Sequence, residues 1–266
     1  VALNEKNCKG NILKNVSLLS TQDTYYTNDG GTTYLEDCQI SGTVDFICGG
    51  GTVYFNHCNI RLLPRGKTGS RDVITAPATV AGNKYGYVFA DCYIDGDSEQ
   101  NGRFHLGRPW NNSPRCVFLN CSMNVTPSPE GWCEMHGTIP ALFAEYNSTD
   151  GFFSLLDLSK RKNVFNNTNG QPTQVSYQPT LTDKEAEDYT VDKVFPGWYP
   201  EDKASQVRPP ILKAKGKVIT WEDIPEAGCY AICRDRKIIA FTTEPTYNVG
   251  KTYEGACYSV RCANWY

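Results

Sequence analysis

Asp45 lies between Val44 and Phe46, inside the run Gly42-Thr43-Val44-Asp45-Phe46-Ile47. An ionised carboxylate among such neighbours is costly to bury unless it is paired or hydrogen-bonded. A second acid, Asp23 in Gln22-Asp23-Thr24, precedes it by 22 residues. If that separation is one repeat of a stacked fold, the two carboxyls project from one face roughly 5 Å apart, one inter-strand spacing. Carboxyls that close do not both ionise readily, so one holds a proton while the other is charged. The pair is then a general acid beside a nucleophile or base. Gln22 offers a side-chain N–H to a developing oxyanion. Leu106-Gly107-Arg108-Pro109-Trp110 adds a guanidinium on a restricted backbone, able to grip one carboxylate through two hydrogen bonds. Trp110 adds a flat apolar face suited to a sugar ring. Each residue alone has a plainer reading: Asp23 as a turn cap, Arg108 as a structural ion pair, Trp110 as core. Their combination is what points to chemistry.

The elements that position these groups show in a repeat. Tyr34–Ile40, Tyr54–Ile60, Val88–Ile94 and Val117–Met123 share one pattern. Each is a short strand, then Asn, Asp or His, then Cys, then another apolar residue two positions on. Ile12–Leu18 fits with Val16 in the cysteine slot, so the slot recurs at 16, 38, 58, 92 and 121. Irregular strand-and-turn repeats of this length predict a solenoid, here a right-handed parallel β-helix in which the longer spacings hold inserted loops. The slot cysteines then form an internal ladder of small buried hydrophobes, because stacked parallel positions rarely supply disulfide geometry. Gly49-Gly50-Gly51 lacks the Lys-Ser/Thr of a phosphate loop and reads as a tight solenoid corner.

Composition narrows the classes. The net charge of −3 is interspersed, with no basic stripe for nucleic acid. No apolar run reaches membrane-spanning length. The twelve cysteines include no Cys-x-x-Cys pair, and His57, His105 and His136 share no metal-ligand spacing.

Gln22-Asp23-Thr24, Gly42–Ile47 and Leu106–Trp110 resemble the three signature blocks of the pectin methylesterases (pectinesterases), in order and at suitable spacing. Gly131-Trp132 and Phe143–Thr149 resemble that family's later segments, so the likeness covers roughly residues 1–205. It implies a β-helical carbohydrate esterase, secreted or at the periplasm or cell surface, with no metal or other cofactor. Its partner would be pectin (homogalacturonan), with no nucleic acid or membrane, and the complete protein would be a monomer. Carried over by motif, Asp45 would be the nucleophile on the C6 methyl-ester carbonyl. Asp23 would protonate departing methanol and then activate water. Gln22 would help bind the oxyanion, Arg108 would hold Asp45, and Trp110, Trp132 and Phe46 would line the sugar groove. The sequence departs from the family at Cys48, where Phe is usual, at Gly50-Gly51, at Pro77 and at Met135-His136. Val1-Ala2-Leu3 resembles a segment directly preceded in the family by a second oxyanion glutamine. The expectation is therefore a chain lacking its early coils, with a rate lowered about 10²–10³-fold by the missing donor.

Residues 150–205 read as a covering strap, with Asn163–Gln178 a loop and Thr182-Asp183-Lys184-Glu185 a capping box opening a helix to about Val194. Val207–Ile211 reads as a linker between a 1–206 solenoid and a small domain at 212–266. Period-two strands at Lys217–Trp221, Cys229–Arg234, Lys237–Thr243 and Cys257–Arg261, with a turn at Arg234–Arg236, resemble a small fibronectin-III-like antiparallel β-sandwich. One or two disulfides among Cys229, Cys233, Cys257 and Cys262 suit a secreted domain of that size. Two other readings stand beside the esterase: a non-catalytic β-helix binding acidic polysaccharide, and a pectate lyase or polygalacturonase on the same scaffold.

Overall fold

The computed structural model describes all residues except 7, 66–71, 207–208, 226, 252–254 and 264–266. No helix among the described residues is long and apolar enough to cross a membrane. Within Val1–Trp198 the described residues wind as a parallel β-helix of three stacked sheets, each turn adding a strand to each sheet except the last, which meets the first sheet only through the Gly107–Trp132 bridge. The first sheet stacks Leu3–Asn4, Tyr25–Thr27, Val44–Gly49, Asp72–Pro77 and Phe104–Gly107. The second stacks Lys9–Lys14, Thr32–Glu36, Thr52–Asn56, Tyr87–Ala90, Arg115–Leu119 and Leu142–Tyr146. The third stacks Ser17–Leu19, Gln39–Gly42, Asn59–Leu62, Tyr93–Asp95, Ser122–Met123 and Thr149–Asp150.

The polar residue of the repeat has a backbone reason. Asn15, Asp37, His57, Asp91, Asn120 and Asn147 all turn the corner between the second and third sheets with φ between 51° and 55°. Short polar side chains tolerate that left-handed region better than apolar ones. The turn drives the next residue inward, and Cys38, Cys58, Cys92 and Cys121 are all buried. Each thiol donates to a carbonyl one coil back, as Cys92 does to Phe55 (3.4 Å) and Cys121 to Phe89 (3.6 Å). Burial pushes the Cys92 thiol well above its usual range. Beside this ladder Phe55, Phe89 and Phe118 stack nearly parallel, with centroids 4.2 and 4.4 Å apart. In-register stacking of identical rings is what a parallel register imposes on a repeat.

The next coil places Glu145 opposite Phe118, in the same inward slot. Glu145 is fully buried, and Arg161 from the strap closes on it with Nε to Oε1 at 2.5 Å while donating to the Pro129 carbonyl at 2.9 Å. Gly131 makes room for this arginine: a Cβ there would stand 2.6 Å from Arg161 Cδ. The capping box at Thr182 and Glu185 is formed, but the helix it opens is broken into Asp183–Ala186, a 3₁₀ turn and Val191–Val194. The strap then lies over the second sheet, with Phe195 against Tyr54 and the Tyr85 hydroxyl donating to the Asp188 carbonyl. Asn163–Gln178 is not simply a loop, because Val164–Asn166 and Pro172–Gln174 pair as an antiparallel hairpin.

Tyr199–Tyr266 forms a second compact unit, so the helix Pro200–Gln206 groups with it and not with the strap. Val207 and Arg208 of the expected linker lie outside the described residues. Among its described residues the unit has two three-stranded antiparallel sheets, Lys213–Lys215/Val218–Thr220/Thr246–Asn248 and Lys237–Thr242/Cys229–Arg234/Tyr258–Ala263. Ile219, Trp221, Ile224, Tyr230, Ile232 and Val260 form one core between them. Asp235 and Arg236 both have positive φ (50° and 68°), the two-residue I′ turn of a tight hairpin.

None of the twelve cysteines forms a disulfide, including the four of this unit. Cys229 stands opposite Ala263 and Cys262 opposite Tyr230, so the two thiols fall on different faces of the sheet. Under native conditions a thiol reagent is expected to modify at most Cys8, Cys133, Cys229, Cys257 and Cys262 within minutes. Cys38, Cys48, Cys58, Cys92, Cys116, Cys121 and Cys233 are buried and should react only in denaturant. Mass spectrometry of the alkylated protein distinguishes the two groups, and native labelling of Cys92 would contradict the packed ladder.

Candidate active site

The first sheet carries the acids. Tyr25 pairs with Ile47, Tyr26 with Cys48, and Gln22 bridges Val44, so Asp23 and Asp45 fall at the same level of adjacent coils. Both have left-handed backbones, with φ of 51° and 50°. On its other side the Val44–Gly49 strand pairs Val44 with Val73 and Ile47 with Thr75, which leaves Asp45 and Phe46 opposite Ile74 alone. This is a β-bulge, a device that re-aims a side chain. The extra residue turns the Asp45 carboxyl to the outer face while Phe46 goes inward beneath Gly42, where a Cβ would lie 2.2 Å from the Phe46 Cβ.

Arg108 reaches Asp45 from two coils away. After the strand Phe104–Gly107, the Arg108 N–H donates to the Thr75 carbonyl (2.9 Å) and the Trp110 N–H to the Pro77 carbonyl (3.1 Å). Pro109 sits at the intervening position, where a parallel ladder needs no N–H from it. The guanidinium then meets Asp45 in a fork, Nε to Oδ1 at 2.8 Å and Nη2 to Oδ2 at 2.5 Å. Asp45 is 5% exposed and Arg108 half-buried, so the pair is largely shielded from water. The two hydrogen bonds to Asp45 raise the arginine above its usual range, so it stays charged at any working pH.

Asp23 is half-buried and meets a neutral partner instead, the Cys48 thiol, which donates to Oδ1 at 3.6 Å. The two acids thus have unlike surroundings. Gln22 is exposed at the strand edge one residue before Asp23. Trp110 is half-buried, and its ring tilts against Tyr26 with centroids 6.2 Å apart. Asp23, Gln22, Asp45, Arg108 and Trp110 therefore gather on one outer surface.

Two expected groove residues do not join them. Phe46 and Trp132 are fully buried in the solenoid core. Phe46 is turned in by the bulge at Asp45. Trp132 bridges Gly107 as the next coil of the sheet, and its ring stacks on Phe143 with centroids 4.7 Å apart. Sequence reasoning passed over Tyr26 and Cys48 as site residues. The signal was present: each follows its acid by three residues, so the stacking that pairs the acids pairs these two as well.

Comparison with known proteins points to one family. A pectinesterase family model matches residues 1–197. Pectinesterase A of Dickeya dadantii (strain 3937) is 34% identical over 206 residues, 70% of this chain and 53% of that protein. A probable pectinesterase/pectinesterase inhibitor of Arabidopsis thaliana is 32% identical over 155 residues, 52% of this chain but 26% of its own length. Among solved structures, a pectin methylesterase in complex with a hexasaccharide superposes with a TM-score of 0.56 at 29% identity, covering 72% of this chain and 58% of that one. The chain thus spans about a quarter to three-fifths of the length of these relatives. With the family model matching well over half of its residues, the chain belongs to the pectinesterase family.

Proposed function

We propose that this protein hydrolyses the C6 methyl esters of pectin, releasing methanol and leaving pectate. The observation that carries the reading is the buried Asp45, forked by Arg108 and stacked one coil from an acid in a different environment. Arg108 neutralises the Asp45 carboxylate and aims it, a preorganised arrangement for attack on an ester carbonyl. Asp45 oxygen bonds to C6, and the Gln22 amide donates to the oxyanion that forms. As the C6–methoxy bond breaks, Asp23 gives its proton to the leaving oxygen and methanol departs. The acyl–Asp45 intermediate is then attacked by a water whose proton passes to Asp23. Asp45 leaves as a carboxylate and both acids regain their starting states. Tyr26 and Trp110 form a half-exposed aromatic wall where a sugar ring stacks.

Action on a cell-wall polymer places the protein outside the cytoplasm. The second unit, two antiparallel sheets around one core, serves in this reading as a fibronectin-III-like spacer or packing element. The test is incubation with highly methylated pectin. Methanol release without new reducing ends and without unsaturated products supports the esterase. Reducing ends would indicate a polygalacturonase and unsaturated products a lyase. Binding with neither would leave a polysaccharide-binding β-helix.

A further inference from the structure

The proposed esterase needs its second acid to present one defined oxygen to the departing methoxy group. Asp45 is fixed by two charged hydrogen bonds, but Asp23 has no such fork. It stands on a left-handed residue, half-exposed, where its side chain is free to rotate unless something fills one oxygen. What lies against it is Cys48, 2% exposed, with its Sγ 3.6 Å from Asp23 Oδ1. The thiol is placed there by register. Tyr26, Cys48 and Ala76 align across three adjacent coils on the outer side of the sheet, each one step beyond inward-facing Tyr25, Ile47 and Thr75. On the Asp23 side the register is unbroken, with Gln22 opposite Val44 and Tyr26 opposite Cys48, so Cys48 lies one coil from Asp23 and its thiol donates to that acid.

Resting on the esterase reading, we infer that Cys48 is a positioning residue: its S–H occupies Asp23 Oδ1 and leaves Oδ2 as the oxygen that exchanges protons with methanol and then with water. Burial and the charges of Asp23 and Asp45 push the Cys48 thiol up, so it keeps its proton through the cycle and remains a donor in both half-reactions. No proton is transferred to or from sulfur. In the first half-reaction the Oδ2 proton moves to the methoxy oxygen; in the second the water proton returns to Oδ2. A phenylalanine at this position, as the family resemblance leads one to expect, has no donor to offer Asp23. This chain therefore orients its acid by a hydrogen bond that an aromatic side chain does not make.

The experiment compares Cys48→Ala and Cys48→Ser with the unaltered chain by two readouts. The first, independent of turnover, is the Asp23 side-chain rotamer from three-bond couplings of its Cγ in labelled protein. The second is methanol release resolved into kcat and KM. A single Asp23 rotamer is expected in the unaltered chain and in Cys48→Ser, which keeps a donor, and rotamer averaging in Cys48→Ala. Loss of one such hydrogen bond should lower kcat of Cys48→Ala about fivefold at unchanged KM, with Cys48→Ser close to the parent. A single rotamer in Cys48→Ala, or equal kcat loss in both variants, would overturn the inference. If no form releases methanol, the esterase reading fails while the rotamers still decide what Cys48 does.

Discussion

Asp45→Asn is expected to abolish methanol release, lowering kcat by about 10⁴-fold or more, the scale of losing a covalent nucleophile in other hydrolases. The amide has nearly the same shape and still fits between Arg108 and the bulge, so the fold should persist. KM should hold within a few-fold, because Tyr26 and Trp110 are untouched. The loss arises because a neutral amide oxygen neither attacks the ester at a useful rate nor departs as an anion when water attacks. Asp23→Asn should also cost activity, but less with a substrate whose leaving alcohol is more acidic than methanol, since that group departs without a proton. Methanol production by Asp45→Asn within tenfold of the unaltered chain would reject Asp45 as nucleophile. Circular dichroism of the variant ensures that a negative result concerns chemistry.

Arg161→Met should be the most destabilising single substitution in the solenoid, at about 3–5 kcal/mol, because it leaves a buried carboxylate without its counter-charge. Glu145 is fully buried and Arg161 has only 3% of its side chain exposed, so no water replaces the lost partner. The double change Glu145→Gln with Arg161→Met removes both charges and should recover part of that loss. Urea unfolding followed by tryptophan fluorescence measures both, and a single-mutant loss under about 1 kcal/mol would contradict the argument. The consequence reaches the site through the backbone. Arg161 holds the Ser128 and Pro129 carbonyls, and the segment that follows supports the Arg108 strand, with the Leu106 N–H donating to Gly131 and the Cys133 N–H to Gly107. Loosening the solenoid end should therefore weaken activity before the protein unfolds.

Much of this protein was legible in its residues. The Cys-slot repeat predicted the stacked coils because a parallel register places equivalent residues one above another, so a short pattern in sequence becomes a ladder in space. The 22-residue offset of Asp23 and Asp45 predicted their alignment for the same reason, and the observed register agrees. The Gly-Arg-Pro-Trp run predicted a held arginine, which the backbone bonds to Thr75 and Pro77 provide.

What period-two alternation could not decide was direction at the irregular points. The bulge opposite Ile74 reverses the alternation at Asp45, so Phe46, adjacent to that acid in sequence, is core, while Cys48, three residues beyond Asp45, touches the other acid. By resemblance Trp132 would line the sugar groove, yet the coil that carries it closes the core. Glu145 sits in a slot filled by phenylalanine on the three preceding coils, and the strap's return with Arg161 makes a charge tolerable there. The residue types and their spacing determined that two acids and an arginine would meet on a β-helix. Tertiary structure decided which neighbours face them, because one extra residue in a strand changes the face of everything after it.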